Sequence, residues 1–140
     1  MMPDASQPPT RLPPTRLREM GLAELQAYAE LSGDRNPIHL DREQAILAGH
    51  PDLICHGMLA MTDIGGWLVR AMAGWQLVTL TTRFVAPMAV GTRLKVSASC
   101  EAHQQAGEPP RATVDFTAED AGGVVRVKGR ARFQRPGGIC

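Results

Sequence analysis

An aspartate and a histidine lie five residues apart in the segment SGDRNPIH, residues 32–39. Asp34 and His39 are residue types that exchange protons near neutral pH, because imidazole titrates there and a carboxylate can hold a water molecule. Gly33 and the residue before Pro37 both disfavour helix, so the segment is predicted to be a stiff loop. On spacing alone a hydrogen-bonded structural pair is the commoner case, and a catalytic pair is the alternative.

A second histidine, His56, directly precedes Gly57 and a nonpolar stretch over residues 57–73. A stretch that is apolar on nearly every side predicts a helix enclosed by the rest of the protein. The amide of Gly57 would then lie at the helix N-terminus, where partial positive charge accumulates and where it could donate to an oxygen that gains negative charge. We predict a structural role for His56 at the start of this helix, with a second acid or base as the alternative.

Two shorter helices are predicted before the long one. Residues 22–31 carry apolar side chains at spacings of three and four, and residues 41–48 begin at a plausible N-cap, Asp41, and stop at Gly49. Residues 1–17 contain a tandem repeat of PPTRL, and proline fixes φ and removes an amide donor. We therefore predict a Pro-rich disordered tail over residues 1–17, with a docking peptide as the alternative, and a single domain over residues 18–140.

Four strands are predicted in the second half of the chain. Apolar and polar side chains alternate over residues 78–86, 93–101, 112–119 and 125–134. Turn-forming segments separate them, so consecutive strands are expected to pair antiparallel. A curved antiparallel sheet wrapped around the apolar helix would bury both apolar surfaces, which gives an α+β fold. The remaining sheet edge must be paired or protected, and a homodimer with a continuous sheet is one solution.

The composition excludes several classes of partner and site. Of the 140 residues, 44% are hydrophobic, and the net charge of +1 gives no electrostatic reason to expect nucleic acid or a membrane. The nonpolar stretch is too short to span a bilayer. Three cysteines without a CxxC pair argue against a disulfide framework, and the four histidines lack the spacing of metal ligands. We predict a cytoplasmic protein without a metal site.

Several segments together resemble the MaoC-like family of (R)-specific enoyl-CoA hydratases and 3-hydroxyacyl dehydratases. SGDRNPIH is followed by ICHGML around His56, TRFVAPMAVGTRLKV over residues 82–96 is similar to a strand-turn-strand segment of that family, and RVKGRARF is similar to its closing strand. The resemblance extends over residues 22–133. It implies a hot-dog fold, in which an antiparallel sheet wraps around a long central helix, and a protein that is usually dimeric.

The resemblance also implies a reaction and its residues. Asp34 and His39 would be the catalytic dyad acting on water, the Gly57 amide would bind the thioester carbonyl, and Asn36 and His56 would support the site. The implied reaction is the hydration of 2-enoyl thioesters, or the reverse dehydration of (R)-3-hydroxyacyl thioesters. The substrate would be an acyl-CoA or an acyl chain on acyl carrier protein, with no cofactor, and the partner a second copy or a related chain.

Two other functions remain open at this point. A hot-dog acyl thioesterase would hydrolyse a similar thioester, and a non-catalytic subunit would only pair with an active dehydratase chain. Two local questions are open as well. Cys55, beside the predicted site, is interpreted as a small buried residue, with a nucleophilic thiol as the alternative. Gly65 and Gly66 in the long helix indicate either close packing or space for an acyl chain.

Overall fold

The computed structural model describes residues 7–136. The chain forms strand β1 (Arg11–Met20), helices α1 (Leu22–Ser32), α2 (Arg42–Leu47) and α3 (Gly57–Ala71), and strands β2 (Gln76–Phe84), β3 (Thr92–His103), β4 (Arg111–Glu119) and β5 (Val125–Gln134). A single 3-10 turn, Pro37–His39, lies between α1 and α2. Within residues 7–136, no helix is both long and apolar enough to cross a membrane.

The five strands form one antiparallel sheet in the order β1-β3-β4-β5-β2. One face of the sheet packs against α3, whose buried side chains include Leu59, Ile64 and Leu68. The inward-facing residues of the strands complete the core, among them Val96, Val114, Phe116, Val127 and Phe133. The predicted arrangement of a sheet around a central helix, the hot-dog fold, is confirmed.

The N-terminal segment forms strand β1, so the disordered tail predicted over residues 1–17 is wrong for residues 11–17. β1 pairs with β3, and each PPTRL repeat places its leucine in the core: Leu12 is 2% exposed and Leu17 is 8% exposed. β1 lies at the sheet edge, where a missing proline amide can face solvent, and two bulges interrupt its register with β3. A proline-rich sequence is therefore compatible with this strand. Residues 1–6, also assigned to the tail, lie outside the described residues.

An ion pair ties β1 to the central helix. The guanidinium Nε of Arg18 donates to Asp63 Oδ2 of α3 at 2.9 Å, and this bond raises the pKa of Arg18. Asp63 of the central helix therefore has a partner from β1. The first strand is thus joined to both layers of the fold.

The position of β2 differs from the simplest reading of the alternation pattern. The β3–β4 and β4–β5 pairs follow chain order as predicted, but β2 pairs with β5 instead of β3. The far side of β3 is occupied by β1, which the pattern did not reveal. Gly129 of β5 allows β2 to approach closely, because a Cβ at that position would collide with the backbone oxygen of Thr81. Alternation identifies strands, and their partners depend on contacts that it does not encode.

Helix boundaries agree with prediction within about two residues. α1 ends at Gly33, whose φ of 79° lies in the left-handed region that favours glycine. Asp41 caps α2 by accepting a hydrogen bond from the amide of Glu43. The end of α1 and the start of α3 are the two places where the predicted site residues lie.

Candidate active site

The loop after α1 is held by a chain of local hydrogen bonds. The Ser32 hydroxyl donates to the Tyr28 carbonyl at 2.7 Å and accepts from the Asp34 amide at 3.1 Å. Asp34 Oδ1 accepts from the Asn36 amide at 3.3 Å, and Asn36 Oδ1 accepts from the Ile38 amide at 3.2 Å. Asn36 therefore shapes the turn that carries His39, and its side-chain oxygen is already engaged by the backbone.

His39 is buried, and a main-chain carbonyl selects the tautomer of its neutral ring. Its Nδ1–H donates to the Ile54 carbonyl at 2.7 Å. A carbonyl can only accept, so in the neutral ring the lone pair is on Nε2. That Nε2 faces Asp34 Oδ2 at 3.8 Å. The separation is too long for a direct hydrogen bond and suits two groups that both contact one water oxygen.

Gly57 and His39 line the same pocket. Gly57 is the first residue of α3, and amides in the first turn have no acceptor within the helix. The pocket has a volume of about 340 Å³, and its other lining residues are Ile54, Cys55, Phe84, Val85, Ala86, Pro87 and Met88. Asp34 is not part of this lining. A larger pocket of about 540 Å³ lies near the start of β2 and contains none of the predicted site residues.

The second histidine, His56, packs against both members of the predicted dyad. Its Nε2–H donates to the main-chain carbonyl of Asp34 at 3.1 Å. Its ring stacks on the ring of His39 with a centroid distance of 3.8 Å. The Tyr28 and His56 rings are in a T-shaped arrangement with a centroid distance of 4.9 Å. Burial lowers the pKa of His56. The structure thus brings Asp34, His39 and His56 together.

These three side chains also have the residue types of a metal site. One donor atom from each of Asp34, His39 and His56 lies within 4.8 Å of the others, a cluster that the sequence spacing did not reveal. The two imidazole rings are tilted by only 25°, so their in-plane lone pairs run nearly side by side and do not converge on one point. This arrangement suits ring packing better than coordination of one ion.

Cys55 is held as a buried thiol. Burial raises its pKa to about 11, and its Sγ lies 3.3 Å from the Ala89 carbonyl. A thiol with a raised pKa is a poor nucleophile near neutral pH. These features favour the interpretation of Cys55 as a small buried residue in the pocket wall.

Three residues of the site were absent from the sequence-based prediction. Ile54 acts through its carbonyl, which no residue type signals. The Phe84 ring packs against Gly57, where an added Cβ would lie 3.0–3.2 Å from the ring carbons. Tyr28 lies about one helical turn before the end of α1. Its place in the stretch YAELSGDRNPIH was the available sequence signal.

Comparisons with known proteins agree with this architecture. The family model described as MaoC like domain matches residues 4–121. An (R)-specific enoyl-CoA hydratase from Aeromonas caviae is 32% identical over 121 residues, covering 85% of this chain and 89% of the relative. A mitochondrial 3-hydroxyacyl-[acyl-carrier-protein] dehydratase from Arabidopsis thaliana is 32% identical over 71 residues, covering 51% of this chain and 43% of the relative.

A solved structure gives the same result at the level of the fold. An (R)-hydratase from A. caviae aligns with a TM-score of 0.76 and 29% identity, covering 89% of this chain and 95% of that chain. The family match, the relative and the aligned fold agree over most of the chain. The chain therefore belongs to the MaoC-like family of hot-dog hydro-lyases.

Proposed function

We propose that the protein catalyses the reversible hydration of 2-enoyl thioesters, equivalent in reverse to the dehydration of (R)-3-hydroxyacyl thioesters. The substrate is carried on CoA or acyl carrier protein. One observation carries the proposal: His39 Nε2 and Asp34 Oδ2 are 3.8 Å apart, and His39 shares a pocket with the amide end of α3. The names of the two curated relatives support the same reaction class.

The proposed mechanism uses the tautomer that Ile54 imposes. His39 Nε2, which has its lone pair free, accepts a proton from the water, while an oxygen of Asp34 accepts a second hydrogen bond and orients it. The water oxygen forms a bond to C3 of the enoyl group, and the double bond shifts its electrons towards the thioester. Negative charge builds on the thioester oxygen, where the Gly57 amide stabilises it. His39 then delivers the proton that it accepted to C2, which forms the C2–H bond and restores the starting state of the dyad without a metal or redox cofactor.

The direct test is hydration of crotonyl-CoA by the purified protein. Removing the base with His39→Ala, or the charge with Asp34→Asn, should lower kcat by about 10²- to 10⁴-fold while the circular dichroism spectrum is retained. His103→Ala changes an exposed histidine that does not line the pocket containing His39, and it serves as the matched control. Near-normal turnover by either site variant would remove that residue from the mechanism.

Two further measurements separate the alternative functions. Release of free thiol from saturated acyl-CoA, without hydration of the enoyl thioester, would identify a thioesterase. No turnover of any 2-enoyl thioester, on CoA or on acyl carrier protein and over a range of chain lengths, would favour a non-catalytic subunit. The same panel of substrates would identify the preferred carrier and chain length.

The partner in this proposal is a second copy of the chain, bound along β2. Of the two sheet edges, β1 carries prolines and bulges that oppose further pairing, whereas β2 exposes about half of Val78 and Phe84. The adjoining surface of α3 also leaves Met58 and Val69 about half exposed. An open edge next to exposed apolar side chains is a surface suited to an isologous dimer.

A further inference from the structure

The rings of Tyr28, His56 and His39 form a column that runs from α1 to the site; we refer to these three residues as the ring column. Tyr28 meets His56 edge to face at 4.9 Å, with planes inclined by 66°, and His56 stacks on His39 at 3.8 Å. His56 is 1% exposed and does not line the pocket that contains His39. A substrate in that pocket would therefore meet one end of the column only.

We propose that His56, supported by Tyr28, is a positioning residue that sets the distance between His39 and Asp34. This inference rests on the proposed function, in which those two residues share one water molecule. His56 is bonded to the Asp34 carbonyl through Nε2–H and is stacked on the His39 ring, so it contacts both members of the dyad. A displacement of His56 would move the two partners relative to each other.

The helix start does not account for this histidine. His56 occupies the N-cap position of α3, where Ser, Thr, Asp and Asn are preferred because their side chains accept a bond from the helix amides. Its side chain makes no such cap bond and turns towards Asp34. The structural role predicted for His56 therefore does not consist of capping the helix, because its side chain bonds to the preceding loop.

The environment of His56 also keeps its ring neutral. Its Nε2 proton is committed to a carbonyl, and its buried Nδ1 has no hydrogen-bond partner among the described residues. The titratable groups that face it are Tyr28 from α1, Asp34 from the loop and His39 from the 3-10 turn. A second proton on His56 would place an unpaired buried N–H beside His39, an arrangement that burial opposes. His56 therefore acts through its geometry and does not exchange protons during turnover.

Two substitutions separate the contacts that His56 makes. His56→Phe keeps a ring to stack on His39 and loses the donor to Asp34, whereas His56→Gln keeps an N–H donor and loses the aromatic ring. Both variants should lower kcat for crotonyl-CoA about 10- to 100-fold with KM changed less than about threefold, since misplacement by about 1 Å can cost about 100-fold.

Tyr28→Leu should lower kcat more than Tyr28→Phe, which retains the ring. His103→Phe and His103→Gln make the same changes at an exposed histidine outside the site and serve as controls.

The outcomes distinguish this inference from the proposed function. A wild-type protein that does not hydrate enoyl thioesters contradicts the function. An active wild type with folded His56 variants of unchanged kcat contradicts the positioning role.

Nitrogen NMR of the wild-type protein provides a measurement that depends neither on activity nor on the folding of a variant. It should show His56 as the neutral Nε2–H tautomer at pH 7, and a doubly protonated His56 would overturn the inference.

Discussion

The carbonyl of Ile54 decides which nitrogen of His39 faces Asp34. Because that carbonyl accepts a hydrogen bond from Nδ1–H, the Nε2 lone pair is directed to the side where Asp34 Oδ2 lies. A neutral histidine with a free Nε2 can act as a base as soon as substrate and water arrive. In the proposed mechanism, the base therefore depends on a main-chain atom of the segment that leads into α3.

The contact between Gly57 and Phe84 leads to a prediction about pocket shape. In Gly57→Ala the new Cβ would lie 3.0–3.2 Å from the Phe84 ring, so the ring must shift within the pocket wall. We expect kcat/KM for crotonyl-CoA to fall at least about tenfold, since overpacking typically costs about 1–3 kcal/mol. Adding Phe84→Leu should restore part of the loss, and a double variant no better than Gly57→Ala would contradict this explanation.

A second glycine of α3 supplies the control. A Cβ at Gly65 would make only an ordinary contact with Leu80, at 3.6 Å, so close packing does not require glycine there. Gly65→Ala should therefore leave the helix intact and add up to about 1 kcal/mol of stability through helix propensity. Chemical denaturation of both single variants would measure the contrast.

At the residue scale, the sequence predicted which side chains meet but not how they are held. Asp34 and His39 were recognised by residue type and motif, and the start of α3 by its apolar run. Ile54 and Tyr28 act through a carbonyl and through ring packing, and both contacts depend on how distant segments fold together. His56 was placed at the helix start, where its backbone lies, but its side-chain contacts with Tyr28, His39 and the Asp34 carbonyl could not be read from the sequence.

At the scale of elements, β1 is expected to contribute substantially to stability. Leu12→Ala and Leu17→Ala each remove a buried side chain and should lower the free energy of unfolding by about 2–5 kcal/mol. Leu22→Ala, at a leucine that is 46% exposed, is the control and should cost less than about 1 kcal/mol. Urea denaturation followed by tryptophan fluorescence provides the measurement. Equal stability of all three variants would mean that residues 11–17 do not belong to the folded sheet.

The sequence predicted best the elements in which apolar side chains follow a clear pattern. Strands β3, β4 and β5 alternate clearly, and α3 is apolar over four turns, so their positions followed directly. β1 was missed because each PPTRL repeat combines a core leucine with two prolines, and proline signals disorder as readily as it signals an edge strand. The pairing of β2 with β5 depends on the close approach at Gly129, which involves two distant segments.

For the whole molecule, burial of His56 predicts a dependence of stability on pH. Its pKa is lowered from the ordinary value of 6.5 in the folded protein, mainly by burial, so below pH 6.5 the unfolded chain binds a proton that the folded chain does not. The free energy of unfolding should therefore have its full value above pH 6.5 and should decrease as the pH falls below it. Denaturation curves from pH 8 to 5 should show this fall in the wild type and a smaller fall in His56→Phe. An equal fall in the free energy of unfolding in the wild type and in His56→Phe would show that His56 is not the cause of this pH dependence.

The proposed dimer can be tested with charge placed on the exposed apolar surface. Val69→Glu and Val78→Glu should convert a dimer to monomer, because each would bury a carboxylate at the β2 and α3 surface. Val124→Glu is a control of similar exposure, 48%, in the β4–β5 turn, and should remain dimeric. Light scattering coupled to size-exclusion chromatography gives the mass. A wild-type monomer that associates only with a related chain would favour the heterodimer and contradict the homodimer.

The proline-bearing strand at the margin of the sheet has a consequence for anyone who shortens this protein. Cutting the chain at residue 18, as its composition would encourage, removes most of the strand that covers β3 and leaves the amides and carbonyls of β3 open along residues 95–99. An uncovered strand of this kind readily recruits other chains. Such a trimmed version should form insoluble aggregates during expression, whereas attaching a purification tag ahead of residue 7 keeps β1 paired with β3.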